Sequence, residues 1–156
     1  MLDIPSVSAV VAAVGVIVGV TLAYLEVRTL ARQRQTDLVM RLYSTFGSRE
    51  FLEARKTVMD LKFEDYSDYV KKYGQFGRFE AVSEVCMFFE GIGVLLNRRL
   101  IDISLIDDLF SPISIKMIWE KMRPVVEGWR KQFDDPDTLE WFESLYNELQ
   151  KKEQQL

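Results

Sequence analysis

The chain opens with a long apolar stretch that runs directly into a segment rich in arginine. Between Asp3 and Glu26 lie 22 residues without a charge, most of them valine, alanine, isoleucine or leucine. A helix needs about 20 such residues to cross the hydrocarbon core of a bilayer. A soluble core helix would carry a polar face at helical period, and this stretch has none. We therefore predict a membrane span and place a transmembrane anchor at residues 1–27.

The flanks of the span bear on its retention and orientation. A cleaved signal peptide carries a basic start and a small-x-small cleavage site, whereas here Asp3 is the only early charge and TLAYLEV offers no such site. The basic side of a span faces the cytoplasm, and Arg28, Arg32 and Arg34 follow this one. We predict a single-pass protein of the cell membrane, its N-terminus outside, with these arginines positioned to meet lipid head groups.

Small residues recur along one face of the predicted span, at spacings of four, three, four and four. They are Ser8, Ala12, Gly15, Gly19 and Ala23. Helices in lipid associate where small side chains let their backbones approach, and the two glycines form a G-x-x-x-G motif. The stripe predicts a contact face for another helix, from either a second copy or a different membrane protein.

Helical periodicity continues through residues 28–150, and no stretch alternates as a strand does. Ser48, Ser104 and either Asp135 or Asp137 are predicted N-caps, and Pro124 is predicted to kink or split its helix. Residues 151–156 are expected to form a frayed tail. The predicted fold is all-α, with one N-terminal transmembrane helix continuing into a cytoplasmic helical bundle at residues 28–150.

Composition narrows the possible chemistry. The net charge of -4 gives no basic surplus, so we expect no nucleic-acid partner. The sequence contains no histidine, which excludes Ser-His and Cys-His hydrolases and histidine-ligated zinc or di-iron sites. The only cysteine, Cys86, lies in EVCMFFEG and is predicted to be a buried thiol. We expect no cofactor, no metal and no enzymatic activity.

Glu90 is the carboxylate with the most apolar surroundings, in CMFFEGIGVLL. A buried carboxylate requires a partner. The candidates are Arg98, Arg99, Arg123 and Arg130. We interpret Glu90 as one half of a structural ion pair that locks two helices, the alternative being a functional acid or a ligand site. Gly91 and Gly93 are expected to permit close helix contact beside it.

Three segments carry a resemblance to a known family. They are RQTDLVMRLYSTFGSREFLEAR, FFEGIGVLLNRRLIDISLIDDLF and IWEKMRPVVEGWR. In these segments, and over nearly its whole length, the chain resembles the domain of unknown function 4760 family of prokaryotic, notably archaeal, single-span proteins. The resemblance implies a cytoplasmic helical domain behind one span, and it supplies no catalytic residue.

These observations favour a membrane-anchored helical interaction protein, an accessory or scaffolding subunit that associates through its span. The expected partners are membrane lipid and either further copies of the chain or a larger membrane protein complex. One alternative is a ligand-binding sensor or enzyme that uses a pocket around Glu90. A second alternative is a self-assembling single-span homo-oligomer.

Overall fold

The all-α fold is confirmed by a computed structural model, which describes residues 4–154, and only the backbone of residues 4–7 and 10. The described residues form seven α-helices and no strand. The helices are α1 (Ile4–Phe46), α2 (Arg49–Asp60), α3 (Tyr66–Tyr73), α4 (Phe79–Asn97), α5 (Ile103–Leu109), α6 (Pro112–Phe133) and α7 (Glu140–Gln154).

Helix α1 contains the predicted span. Within the described part of the chain it is the one helix long and apolar enough to cross a membrane, over Val11–Phe46. Signal sequences near an N-terminus share this length and composition. None of its most apolar 18-residue window is buried, and Val16, Ile17 and Val20 are all exposed.

The chain divides into two compact units, Met1–Leu38 and Val39–Leu156. This boundary lies after the predicted one at residues 27/28. The two boundaries have different origins. The predicted boundary is the end of the apolar segment. The observed one coincides with Val39, the first buried residue among those of α1 whose burial is described.

Two of the helix starts in the second unit follow from capping side chains. Ser48 caps α2 as predicted, its hydroxyl accepting from the Phe51 N–H at 3.1 Å. The prediction that Ser104 caps α5 is wrong, because Asp102 occupies that position and accepts from the Ser104 N–H at 2.8 Å. An aspartate and a serine two residues apart compete for one cap, and the carboxylate makes the stronger, charge-assisted bond.

Pro124 lies inside α6, which continues through it from Pro112 to Phe133, so the helix is not split. Proline removes one backbone hydrogen bond and costs a helix about 3 kcal/mol. The buried apolar face of α6 supplies compensating packing on both sides of Pro124. Its large members include Ile118, Trp119, Met122, Val125, Val126 and Trp129.

The expected frayed tail at residues 151–156 is helical as far as Gln154, while residues 155 and 156 lie outside the described part. Two ion pairs hold this end of α7. Lys152 meets Asp107 of α5 at 2.6 Å, and Glu153 pairs with Lys116 of α6. These contacts come from elsewhere in the chain, which is why composition alone predicted fraying.

The core of the second unit is dominated by an aromatic cluster, consisting of Phe46, Phe51, Phe88, Phe89, Phe110 and Phe142. Phe89 stacks on Phe142 with 5.0 Å between ring centroids, and Phe46 meets Phe110 edge-on at 5.3 Å. Such pairs contribute about 0.5–1.5 kcal/mol each beyond the burial of their area. The cluster therefore joins the last turn of α1 to α2, α4 and α7, and to Phe110 at the C-terminal end of α5.

Helices α4 and α7 are in close backbone contact at Gly93. A Cβ atom built on Gly93 would lie 2.0 Å from the backbone oxygen of Trp141. Only glycine fits at that distance, so this half of the predicted close contact is confirmed. Gly91 has open space around it, with nothing within 4 Å of a built Cβ, and its predicted role in helix contact is wrong.

Candidate functional site: the Glu90 groove

The surface beside Glu90 is a groove of about 330 Å³ between α4, α6 and the α6–α7 connection. We call it the Glu90 groove. It is lined by Phe79, Ser83, Cys86, Met87, Glu90, Trp129, Asp135, Thr138 and Leu139. Its volume falls at the lower end of the range typical of small-ligand sites.

Glu90 caps the N-terminus of α7 from a different helix. One of its carboxylate oxygens accepts from the Phe142 N–H at 2.7 Å, and the carboxylate also accepts from the Trp141 N–H. The residue before α7 is Leu139, which has a positive φ of 56° and no side-chain acceptor. The first turn of a helix leaves backbone N–H groups unpaired, and Glu90 satisfies two of them.

The pKa of Glu90 is raised above its ordinary value, mainly because burial disfavours the charged carboxylate. Hydrogen bonds from the backbone of Phe142 and Trp141 act in the opposite direction, as does the charge of Arg130. The nearby Glu140 raises the pKa further. Glu90 is thus a half-buried acid held by backbone donors.

The predicted ion pair between Glu90 and an arginine is wrong among the described residues. Arg98 and Arg99 are exposed and lie past the end of α4, more than two helical turns from Glu90. Arg123 lies over the ring of Tyr146, at 5.2 Å from its centroid. Arg130 donates to the Thr138 carbonyl at 2.9 Å and pairs with Glu143 at 2.7 Å. The partner of Glu90 is therefore the backbone of α7 and not the cation predicted from the sequence.

The burial of Glu90 and its capping of α7 predict how Glu90 variants and pH change the stability of the domain. Glu90→Ala leaves buried N–H groups without an acceptor and should cost about 1–3 kcal/mol of unfolding free energy. Glu90→Gln keeps an acceptor oxygen and should cost less. A raised folded pKa means that the folded state binds the proton more tightly. Stability from this group is therefore lost as pH rises above the ordinary value of 4.5 towards the folded pKa.

Thermal unfolding of the full chain in nanodiscs, followed by circular dichroism across that pH window, tests both expectations. The wild type should lose melting temperature relative to Glu90→Gln as pH rises, because the variant has no proton to release. Asp68 and Asp102 have lowered pKa values and so titrate below 3.8, outside the window. Glu84→Ala, at an exposed position of α4, is the matched control and should change little. Equal costs for the alanine and glutamine variants would contradict the capping role.

The span residues named from sequence all lie on α1. Ser8, Ala12, Gly15, Gly19 and Ala23 are exposed. A Cβ on Gly15 or Gly19 would meet nothing within 4 Å. Arg28, Arg32 and Arg34 are also exposed, on the same helix beyond the apolar segment. None of these residues contributes to the Glu90 groove.

Sequence reasoning missed the four lining residues that lie outside α4. Trp129 comes from α6, and Asp135, Thr138 and Leu139 come from the connection to α7. The sequence predicts either Asp135 or Asp137 as the cap of α7. Instead Asp135 organises the preceding turn, accepting from the Thr138 hydroxyl at 2.8 Å and the Asp137 N–H at 3.3 Å. The signal available in sequence was the dense acidic turn DDPDT, which is equally typical of a cap.

Comparisons with known proteins complete the description of the site. Between residues 4 and 154, no group of three or more His, Cys, Asp or Glu side chains is arranged to hold a metal ion. No curated protein and no solved structure matches the chain. A family model, described as a domain of unknown function (DUF4760), matches residues 9–149. The match covers the apolar helix and the helical domain together, and the chain therefore belongs to the DUF4760 family.

Proposed function

We propose that this chain is a membrane-anchored helical interaction protein, an accessory or scaffolding subunit that associates through its span and presents a helical domain to the cytoplasm. The observation that carries the proposal is the exposure of α1. Its most apolar window is entirely unburied within the chain. Exposed apolar surface on that scale is costly in water, and a bilayer removes the cost.

Retention of the span is supported by the continuity of α1. The helix runs unbroken from the apolar segment to Phe46, with no glycine between Gly19 and Gly47. Its last turn belongs to the aromatic cluster of the second unit, where Phe46 meets Phe51 at 5.5 Å and Phe88 at 6.2 Å. A helix whose end forms part of a folded core is better suited to a permanent anchor than to a removable leader.

Orientation rests on charge. Arg28, Arg32 and Arg34 are exposed on α1 immediately after the apolar segment, and basic residues at a span end favour the cytoplasmic side. Each contributes about 1 kcal/mol of attraction to an anionic lipid surface when it lies near that surface. The proposal therefore places the N-terminus outside and the helical domain in the cytoplasm.

Association rests on the small-residue face. Gly15 and Gly19 leave open space on the helix, so the backbone of a second helix can approach to contact. Further copies of the chain would make a homo-oligomer, and a different span would make this chain a subunit of a larger complex.

Widening the stripe tests the association directly. The double variant Gly15→Ile, Gly19→Ile adds two branched side chains where close packing is proposed. We expect native mass spectrometry of the tagged full-length protein, extracted in mild detergent, to show an assembly for the wild type. The variant should lose most of that assembly, because branched side chains hold the helix backbones apart.

The matched control is Ala13→Ile, Thr21→Ile, which adds bulk to the same span away from the stripe. This control should keep the assembly. A homo-oligomer lost only in the glycine variant assigns the stripe to self-association, and a co-purifying complex lost in the same way assigns it to a different partner. A wild type that is monomeric in membranes and recovers no partner would overturn the proposal.

A further inference from the structure

The Glu90 groove combines an apolar lining with acidic groups. Phe79, Met87, Trp129 and Leu139 are the large apolar residues of its lining. The charged side chains among the lining residues are Glu90 and Asp135, both acids, and no lysine or arginine lines the groove. Arg130, which follows the lining residue Trp129 in sequence, is engaged by Glu143 and the Thr138 carbonyl.

Aromatic surface extends from the mouth of the groove. Phe79 of the groove meets Phe76 edge-on at 5.6 Å, and Phe76 stacks on Phe133 at 6.1 Å with 15° between the ring planes. About half of each of these three side chains is exposed, as is Met87. Exposed aromatic side chains that cluster in this way are typical of an interaction surface.

The charge and the lining select one class of ligand. An anion would be repelled by two carboxylates. A neutral apolar molecule would cover Glu90, removing water from a carboxylate without replacing its interactions, which is unfavourable. A cation with an apolar body satisfies both features, since its charge faces the carboxylates while its body and its charge are both attracted to aromatic rings.

We propose that the Glu90 groove binds a small organic cation, an ammonium group carried on an aromatic or alkyl body. The ammonium group lies towards Glu90 and Asp135, and the body lies against Phe79, Met87 and Trp129. A groove of about 330 Å³ accommodates a molecule of this size. All of its lining residues belong to the unit Val39–Leu156, so the inference is independent of how the span associates.

The test uses the full-length chain in nanodiscs of zwitterionic lipid, labelled with ¹⁵N at its three tryptophan indoles. Phenethylammonium and its neutral counterpart 2-phenylethanol are titrated separately at pH 7. We expect phenethylammonium to shift the indole resonance of Trp129 saturably, with a dissociation constant at least tenfold lower than that of the alcohol. Trp119, which packs against Phe142 and is not among the lining residues, is the internal reference and should shift much less than Trp129.

Variants distinguish charge recognition from apolar adsorption. Asp135→Asn and Glu90→Gln should each weaken phenethylammonium binding several-fold while changing binding of the alcohol little. Ser83→Phe should block both by filling the groove. Glu84→Gln, at an exposed position on the same helix, should bind as the wild type does.

Equal affinities for the ammonium and the alcohol would overturn the proposal, as would the absence of a saturable Trp129 shift at millimolar ligand. Asp135→Asn leaves the Glu90 cap intact and keeps the test decisive even if Glu90→Gln loosens α7. An unchanged affinity in Asp135→Asn, with its fold preserved, would also overturn it.

Discussion

Gly93→Ala is expected to destabilise the helical domain by about 3 kcal/mol, at the upper end of the usual cost of overpacking. The added methyl group would lie 2.0 Å from the Trp141 oxygen and 2.4 Å from its carbonyl carbon. Both atoms are backbone, so no rotamer change can relieve the overlap. Helices α4 and α7 must separate instead, and that movement also stretches the hydrogen bond from the Phe142 N–H to Glu90. Chemical denaturation of the full chain in nanodiscs measures the effect.

Gly91→Ala is the matched control, because the same substitution two residues earlier enters open space. Alanine is the better helix former by about 1 kcal/mol, so this variant should be slightly more stable than the wild type. Opposite signs for the two substitutions are expected. Similar effects at the two positions would show that α4 and α7 are not as close as described.

Phe89→Ala is expected to cost about 3–5 kcal/mol of unfolding free energy. Phe89 is fully buried and contacts Phe142 at 5.0 Å, Phe88 at 5.3 Å and Phe51 at 6.0 Å. Its removal takes away a large buried area and leaves a cavity at the centre of the aromatic cluster. The same denaturation experiment should show a lower midpoint with an unchanged slope.

Phe133→Ala provides the comparison for Phe89→Ala. Phe133 also stacks on another phenylalanine, yet it is 49% exposed and lies outside the core. Its loss should change the unfolding free energy by less than about 1 kcal/mol, since little surface returns to water. A cost for Phe89→Ala no greater than that for Phe133→Ala would contradict the assignment of the cluster as the core.

Local sequence signals predicted the elements of the fold well. The apolar stretch predicted α1, Ser48 was predicted as an N-cap and caps α2, and Pro112 falls in the first turn of α6, where proline is tolerated. Each of these signals acts within a few residues of its effect. Pro124 shows the limit of local signals, because packing along the buried face of α6 keeps the helix continuous through it rather than split.

The site was less predictable because its geometry depends on contacts far apart in sequence. The sequence correctly predicted that Glu90 is a partly buried acid that needs a partner. It predicted an arginine as that partner, whereas the partner in the structure is the backbone at the start of α7, 52 residues away. The fit of Gly93 against Trp141 and the contribution of Asp135 to the groove depend on the same docking of α7. No periodicity or motif encodes which helix will approach which.

The capping of α7 by Glu90 also constrains how the domain is built. The donor groups of α7 are made about fifty residues after their acceptor, so α7 cannot gain its cap by local folding. Closing so long a loop is entropically unfavourable. The contacts that offset this cost form together when α7 packs against α4. During synthesis, the face of α4 that carries Glu90 and Gly93 stays exposed until α7 has been made. The final helix is therefore a late and cooperative addition, and a chain stopped before it would expose an unfinished hydrophobic surface.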